Sequence, residues 1–520
     1  MAVRAPLEYP DWPLHRFVQN AADDEPDRVV VRHDDLELTF GELDRRGNAL
    51  ARALGALGVA PHERVALFSA NRPEWLVAQH GVSLAGAGSV LGNGSWKSAE
   101  IEHALGITQP RAIIADDASA TMIDASVVGP DIIRICLDDA PRGWLRLNDL
   151  LQGVSTDRGP ELVDDPAAFE SALPFSSGTT GMPKAVRHSH RGLVRGTLQR
   201  VDAYALDEAD RLQFFMPLFT IFGVVVMTSV YATRASLRLF RRFDPVTALE
   251  NVERERITVG FGTLPVATRF ITLDDLERYD LSSLRYLLWG ATPLSPEISG
   301  AFTARTGVAW VGAYATTEVG VASNDAHHPE RTLPDSPGFA MADTVVRIVD
   351  PATGANVDTG TEGEIWVKSE SMMVGYLGAD GDDPVTADGF FRTGDLGRLD
   401  ADGMIYITDR LKDLVKVNGF SVAPAEIERV LLSHAGVADC AAYGVPDPDR
   451  GEVLEVAVVA GPVVADRAQV DVDDLDAFLA ERLARYKHPA RIRFVDEIPR
   501  NAAGKTLRRA LRDDALGAAR

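Results

Sequence analysis

Short apolar runs bounded by polar turns, each followed by a longer stretch with helical spacing, recur along most of this chain and constrain its fold more than any other feature. Arg64-Val-Ala-Leu-Phe68 and Arg111-Ala-Ile-Ile-Ala115 read as buried strands, because four consecutive apolar residues suit a strand covered on both faces. Between them and the N-terminus, Thr39-Phe40-Gly41-Glu42 has the form of a capping box, and Leu43, Leu50, Leu54 and Leu57 follow at roughly helical spacing. The alternation predicts a mostly parallel α/β layer structure. Near residue 410 the rhythm changes. Strand-like Met404 to Thr408 gives way to charged Asp409-Arg-Leu-Lys-Asp413. Pro424 can then open a helix through Ile427, Val430 and Leu431, Val453 to Ala460 reads as a strand, and Leu475, Phe478, Leu479 and Leu483 mark another helical face. A chain of 520 residues is too long for one ordinary domain. The expected division is a large α/β domain of several subdomains over residues 1–409 and a small α+β domain over residues 410–520.

Charge and cysteine content narrow the function classes. The chain carries 53 basic and 76 acidic residues, a formal net charge of −23, which opposes a broad nucleic-acid or anionic-membrane surface. Cys136 and Cys440 are the two cysteines. They give neither a disulfide framework nor zinc-ligand spacing, and a reducing cytoplasm is expected. Residues 1–17 form no secretory apolar stretch. Leu212 to Thr233 contains no charged residue and is about long enough to cross a bilayer, but Pro217 and Gly223 interrupt it. A buried strand, a bend and an apolar helix are expected there, with no transmembrane segment.

The strongest local signal is Leu173-Pro-Phe-Ser-Ser-Gly-Thr-Thr-Gly-Met-Pro-Lys184. Glycines permit tight turns, exposed amides and hydroxyls can bond phosphate oxygens, and a lysine can offset their charge. The run reads as a polyphosphate loop built from Ser176, Ser177, Gly178, Thr179, Thr180, Gly181 and Lys184. It lacks Walker A spacing. Gly86, Gly88 and Gly92 miss the dinucleotide fingerprint because Leu91 occupies its third glycine position, and no Gly-x-Ser-x-Gly elbow is present, so nicotinamide oxidoreductase and serine hydrolase readings lack their main signs. His188, His190, His327 and His328 lack further ligands that would define a metal site.

The phosphate-loop segment resembles that of the adenylate-forming superfamily of acyl-CoA synthetases, nonribosomal adenylation domains and beetle luciferases. Further matches follow in order: Tyr314-Ala-Thr-Thr-Glu318, Gly363-Glu-Ile-Trp366, Gly375-Tyr376, Thr393-Gly-Asp-Leu-Gly397, Asp409-Arg-Leu-Lys-Asp413, Gly419-Phe420, Pro424-Ala-Glu-Ile-Glu428 and Pro499-Arg-Asn-Ala-Ala-Gly-Lys505. The resemblance implies an acid–thiol ligase that uses ATP and Mg²⁺ to make an acyl-AMP and passes the acyl group to CoA or to the phosphopantetheine of a separate carrier protein. It implies nucleotide contacts from Ala291, Gly312, Ala313, Tyr314, Thr317, Asp395 and Arg410, with Tyr314 on adenine, Thr317 on the α-phosphate and Asp395 on the ribose. Glu318 would hold Mg²⁺, a hard cation suited to carboxylate oxygen. Lys505 would stabilise the charge that develops as pyrophosphate leaves. The small domain would be mobile, swinging about Lys412 to bring Lys416, Gly419 and Phe420 to a thiol channel. An idle acyl-nucleotide sensor on the same fold is the competing class, and retention of Glu318, Asp395, Arg410 and Lys505 together opposes it.

The expected acyl pocket comprises Phe219, Thr220, Ile221, Trp289 and Gly290. Phe214 to Phe222 contains no carboxylate to pair a substrate ammonium, which points to an uncharged tail, a fatty acid first and an aromatic acid second. Departures from the family pattern are Thr220 where many relatives carry His, Ala185 and Ala315 for glycines, and Ser421 where some carry Gln. Residues 485–520 hold ten Lys or Arg against four Asp or Glu, 10 − 4 = +6, a patch that could attract CoA phosphates or an acidic carrier protein.

Overall fold

The computed structural model describes residues 4–123, 129, 131–176, 182–290, 296–333, 335–378, 383–417, 420–434, 436–447, 451–461, 470–501 and 504–518. The predicted α/β rhythm forms two large sheets. One has eight strands, with Lys184–Ser189, Glu170–Ser176, Gly88–Gly92, Arg64–Phe68 and Ala112–Ala115 as successive neighbours. The other has nine, with Gly320–Ser323, Ala309–Ala315, Tyr286–Trp289, Val259–Gly262 and Arg211–Phe214 in succession. The interior strands of both pair mainly in parallel and are buried on both faces, which is why they read as unbroken apolar runs. One large core joins the two sheets through helices such as Phe40–Ala56, where Thr39 accepts a hydrogen bond from the Glu42 amide at 3.2 Å, one of the two bonds of the expected capping box.

A four-stranded antiparallel sheet follows, ordered Thr344–Val349, Gly363–Ser369, Phe391–Leu399 and Ile405–Arg410. Arg410 is the last residue of this sheet, and the next strand, Val415–Val417, opens a separate five-stranded sheet packed against the helices Pro424–Leu432 and Val472–Ala480. The connection is therefore residues 411–414, centred on Lys412.

The uncharged segment behaves as its sequence requires. Arg211–Phe214 is a strand, the chain bends at Pro217, and Ile221–Thr233 is a buried helix of 13 residues. Among the described residues no helix is long and apolar enough to cross a membrane. Thr220 is the helix cap. Its hydroxyl donates to the Pro217 carbonyl at 2.8 Å and accepts from the Gly223 amide at 3.1 Å. Gly223 allows this tight entry, since a Cβ there would lie 2.6 Å from Leu218 Cα and from the Pro217 carbonyl oxygen. Thr220 thus has a local structural use. Thr220→Ala is expected to lose about 1 kcal/mol of stability while Thr220→Ser loses little, measured by urea unfolding.

Candidate active site

Asp395 is the point where three parts of the molecule meet. It lies on Phe391–Leu399, opposite Arg410 on the neighbouring strand, and is 2% exposed. Arg410 Nε approaches Asp395 Oδ1 at 2.8 Å, and the Tyr314 hydroxyl, from the end of the nine-stranded sheet, donates to Oδ2 at 2.5 Å. The local backbone is fixed by Gly394, which takes φ +71°, by its amide donating to Glu364 Oε1 at 3.0 Å, and by the Asp395 amide donating to Thr393 Oγ1 at 3.0 Å. Burial pushes the Asp395 carboxyl up, while the Arg410 guanidinium and the Tyr314 hydroxyl pull it down. A carboxylate offers about four acceptor positions and two are occupied here, so Asp395 can still accept from a pair of hydroxyls.

Lys505 reaches the same place from the small domain. Its turn is pinned by Asn501, which accepts from the Lys505 amide at 2.9 Å through its side chain and from the Gly504 amide at 2.8 Å through its carbonyl. Arg500 ties that turn to Asp439 by hydrogen bonds of 2.8 and 2.9 Å. Gly504, at φ +81°, brings the turn against the large domain, where a Cβ on it would touch Thr263 at 3.8 Å. Burial, and then the nearby Arg410, depress the Lys505 ammonium to about 8, with Asp413 and Asp395 opposing them. The connecting turn is anchored too. Asp413 pairs with Arg508 at 3.0 Å, and Asp409 accepts from the Ala425 amide at 3.0 Å.

The expected phosphate loop has described ends. Ser176 pairs with Lys184 across an antiparallel ladder, and Lys184 Nζ sits 5.1 Å from the centre of the Tyr376 ring. Ser177, Gly178, Thr179, Thr180 and Gly181 lie outside the described residues, as do Ala291 and Gly419. The Tyr376 hydroxyl donates to Glu318 Oε1 at 2.7 Å, leaving Oε2 without a hydrogen-bond partner among the described residues. The Thr317 carbonyl accepts from His188 Nε2 at 2.9 Å. Gly312 and Ala313 precede Tyr314 on the strand Ala309–Ala315.

Tyr376, Thr393, Glu364 and Arg500 were not assigned roles from the sequence. All four stand within recognised motifs, but the contacts that give them a place in the site are visible only in the structure. His188 and His190 are structural, buried and held neutral by burial at about 4 and 3. Of the expected acyl-pocket residues, Ile221 lines a small cavity with Thr317, Val225, Gly320, His188 and Arg200. Trp289 packs edge-on against Trp310 at 5.2 Å in the core, Phe219 is half-buried against that core, and Gly290 follows Trp289 at the strand end. Lys416 and Phe420 occupy facing strands of one hairpin in the small domain.

Residues 18–377 match the AMP-binding enzyme family and residues 426–505 match the AMP-binding enzyme C-terminal domain. The chain belongs to the AMP-binding enzyme family. Among curated relatives of this AMP-binding enzyme, 4-coumarate–CoA ligase 1 of Petroselinum crispum is 32% identical over 489 residues, covering 91% of this chain and 88% of that one. Among solved structures, ATP-bound MatB from Rhodopseudomonas palustris superposes with a TM-score of 0.88 at 28% identity, covering 98% and 100% of the two chains. The anthranilate CoA ligase AuaEII in complex with anthranoyl-AMP gives 0.89 at 26% identity, covering 98% of each. This AMP-binding enzyme is thus an AMP-forming acid–thiol ligase of the adenylate-forming superfamily.

Two outcomes follow from the site. A lysine that acts as a cation works below its titration point, so adenylation kcat/KM should fall as pH rises through about 8. In Lys505→Arg the guanidinium stays charged, and any residual activity should lose that basic limb. Asp395→Ala should weaken ATP binding by about tenfold or more, as expected for a lost charge-assisted hydrogen bond, measured by calorimetry.

Proposed function

We propose that the chain converts a compact carboxylic acid, aromatic or short-chain, into its acyl-AMP and transfers the acyl group to the thiol of CoA. The observation that carries this reading is the position of Lys505 beside the Asp395–Arg410 pair. Asp395 would accept the ribose hydroxyls, Tyr314 would lie along adenine, and Lys184 and the Ser176–Gly181 loop would hold phosphates. An acid oxygen then attacks the α-phosphorus, the bond to the pyrophosphate oxygen breaks, and Lys505 meets the charge that develops there. Mg²⁺ takes one or two carboxylates together with phosphate oxygens and water, and Glu318 with its open Oε2 fits that pattern. The ion would neutralise phosphate charge when bound.

In the second half-reaction the thiol sulfur attacks the acyl carbonyl and AMP leaves. Rotation about Lys412 would withdraw Lys505, release Ala425 from Asp409, and bring Lys416, Gly419 and Phe420 to the acyl-AMP. Supporting CoA over a carrier protein, the curated relatives are CoA ligases by name. The basic C-terminal stretch gives less support than its charge suggested, since Lys487, Arg493, Arg500 and Arg508 are paired with Glu426, Asp514, Asp439 and Glu428. Two free, buried cysteines accord with a cytoplasmic setting.

A compact acid is favoured over a long fatty chain because similar proteins are, by name, ligases of 4-coumarate and of anthranilate. Acid-dependent exchange of labelled pyrophosphate into ATP tests the reading across benzoates, cinnamates, short-chain acids, dodecanoate and hexadecanoate. Exchange with aromatic or short acids, followed by acyl-CoA formation, is the expected result. Exchange with the long acids alone would restore the fatty-acid reading, and acyl-AMP that discharges only onto a phosphopantetheinylated carrier would replace CoA.

A further inference from the structure

Among the described residues Arg200 is the one arginine in the fully buried set, at 5% exposed, and it has no carboxylate partner. From the helix His190–Ala203 its Nη1 donates to the Gly196 carbonyl at 2.8 Å, and its other polar neighbour is the Tyr204 hydroxyl. Burial pushes the Tyr204 phenol up, so it is neutral at physiological pH and supplies no charge. His188 is neutral as well, held at about 4 by burial, with its Nε2 proton given to the Thr317 carbonyl. Less buried arginines in this chain do find acids: Arg238 pairs with Glu255, Arg500 with Asp439, and Arg508 with both Glu428 and Asp413. In a protein of net charge −23, a buried cation left without an acid is a specific arrangement.

The fold also makes room for this guanidinium. A Cβ on Gly196 would lie 2.9 Å from Nη1, and one on Gly320 would lie 2.7 Å from Nη2. Gly320 is two residues beyond Glu318, and Arg200 lines the same cavity as Thr317 and Ile221. The cavity therefore has the expected α-phosphate contact, an apolar wall and an uncompensated cation. Holding an unpaired charge out of water is unfavourable unless a bound group pairs it with good geometry. The guanidinium fork matches a carboxylate, which it can bond through two parallel N–H groups.

We propose that Arg200 is a specificity-determining residue that selects an acid carrying a second carboxylate, pairing that group while the first carboxylate is adenylated. The proposal rests on the ligase reading above for the role of the first carboxylate. It modifies the expectation of an uncharged tail, which considered only Phe214 to Phe222. The charge comes from a different helix, and its sign suits an anion.

The test measures acid binding and turnover separately. Calorimetry in the presence of a non-hydrolysable ATP analogue compares 4-carboxybenzoate with 4-methylbenzoate, and glutarate with hexanoate, on the wild-type full chain, Arg200→Met and Arg200→Lys. In at least one pair the diacid should bind wild type about 30-fold more tightly, the effect of one partner in a buried charge pair. Arg200→Met should abolish that preference, and Arg200→Lys should retain part of it. Equal or reversed affinities in both wild-type pairs would overturn the proposal without recourse to any variant. A diacid preference that persists in folded Arg200→Met would also overturn it. Pyrophosphate exchange run in parallel distinguishes the two readings. Arg200-dependent diacid binding without exchange sinks the ligase reading and leaves the anchor, whereas exchange indifferent to the second carboxylate sinks the anchor alone.

Discussion

A buried carboxylate is unfavourable on its own, and the arrangement around Asp395 follows from meeting that cost. Arg410 meets it across the strand pair at 2.8 Å and Tyr314 meets it from another sheet at 2.5 Å. The two contacts hold the edge of the four-stranded sheet to the end of the nine-stranded sheet. They also leave acceptor capacity on a carboxylate that is already oriented. Lys505 approaches the same pair, so Arg410 faces an anion on one side and a like charge on the other. Burial first, and the like charge of Arg410 second, depress the Lys505 titration. An arginine beside Asp395 keeps its charge, and the lysine, partly desolvated, is the more easily deprotonated of the two cations.

The connection between the domains shows a related economy. Asp409 and Asp413 flank Lys412, and both reach into the small domain, one to the first turn of the helix Pro424–Leu432 and the other to Arg508. The Arg508 contact is shared with Glu428, so Asp413 belongs electrostatically to the small domain. Asp409 lies on the strand Ile405–Arg410 and stays with the large one. The bond between Asp409 and the Ala425 amide thus crosses between the two sheets, whereas the Asp413–Arg508–Glu428 cluster lies on one side of the connection.

Much of this was legible before any coordinates. The capping threonine, the strand–bend–helix reading of Leu212 to Thr233, and the helix opened by Pro424 rest on local rules, and local rules survive folding. The positions of Tyr314, Asp395, Arg410 and Lys505 in sequence gave no distance between them. That they lie together depends on sheet pairing and domain docking, which no spacing encodes. Tyr376 shows the limit clearly. Its motif was visible, yet its bond to Glu318 exists because Gly375–Leu377 joins the edge of the eight-stranded sheet beside Lys184–Ser189.

The acid pocket is where one segment says least about its surroundings, and the reason is geometric. A pocket wall drawn from Phe214 to Phe222 is apolar, and from it alone an uncharged tail follows. Yet the helix Ile221–Thr233 packs beside His190–Ala203, with Thr197 and Thr228 bonded at 2.7 Å, and this neighbour brings Arg200 to the cavity that Ile221 lines. Two glycines far apart in sequence, Gly196 and Gly320, leave the space that the guanidinium fills. Neither glycine sits in a turn, so neither draws attention as a sequence signal. Their meaning appears only when the atoms they lack are compared with the charge that occupies the gap.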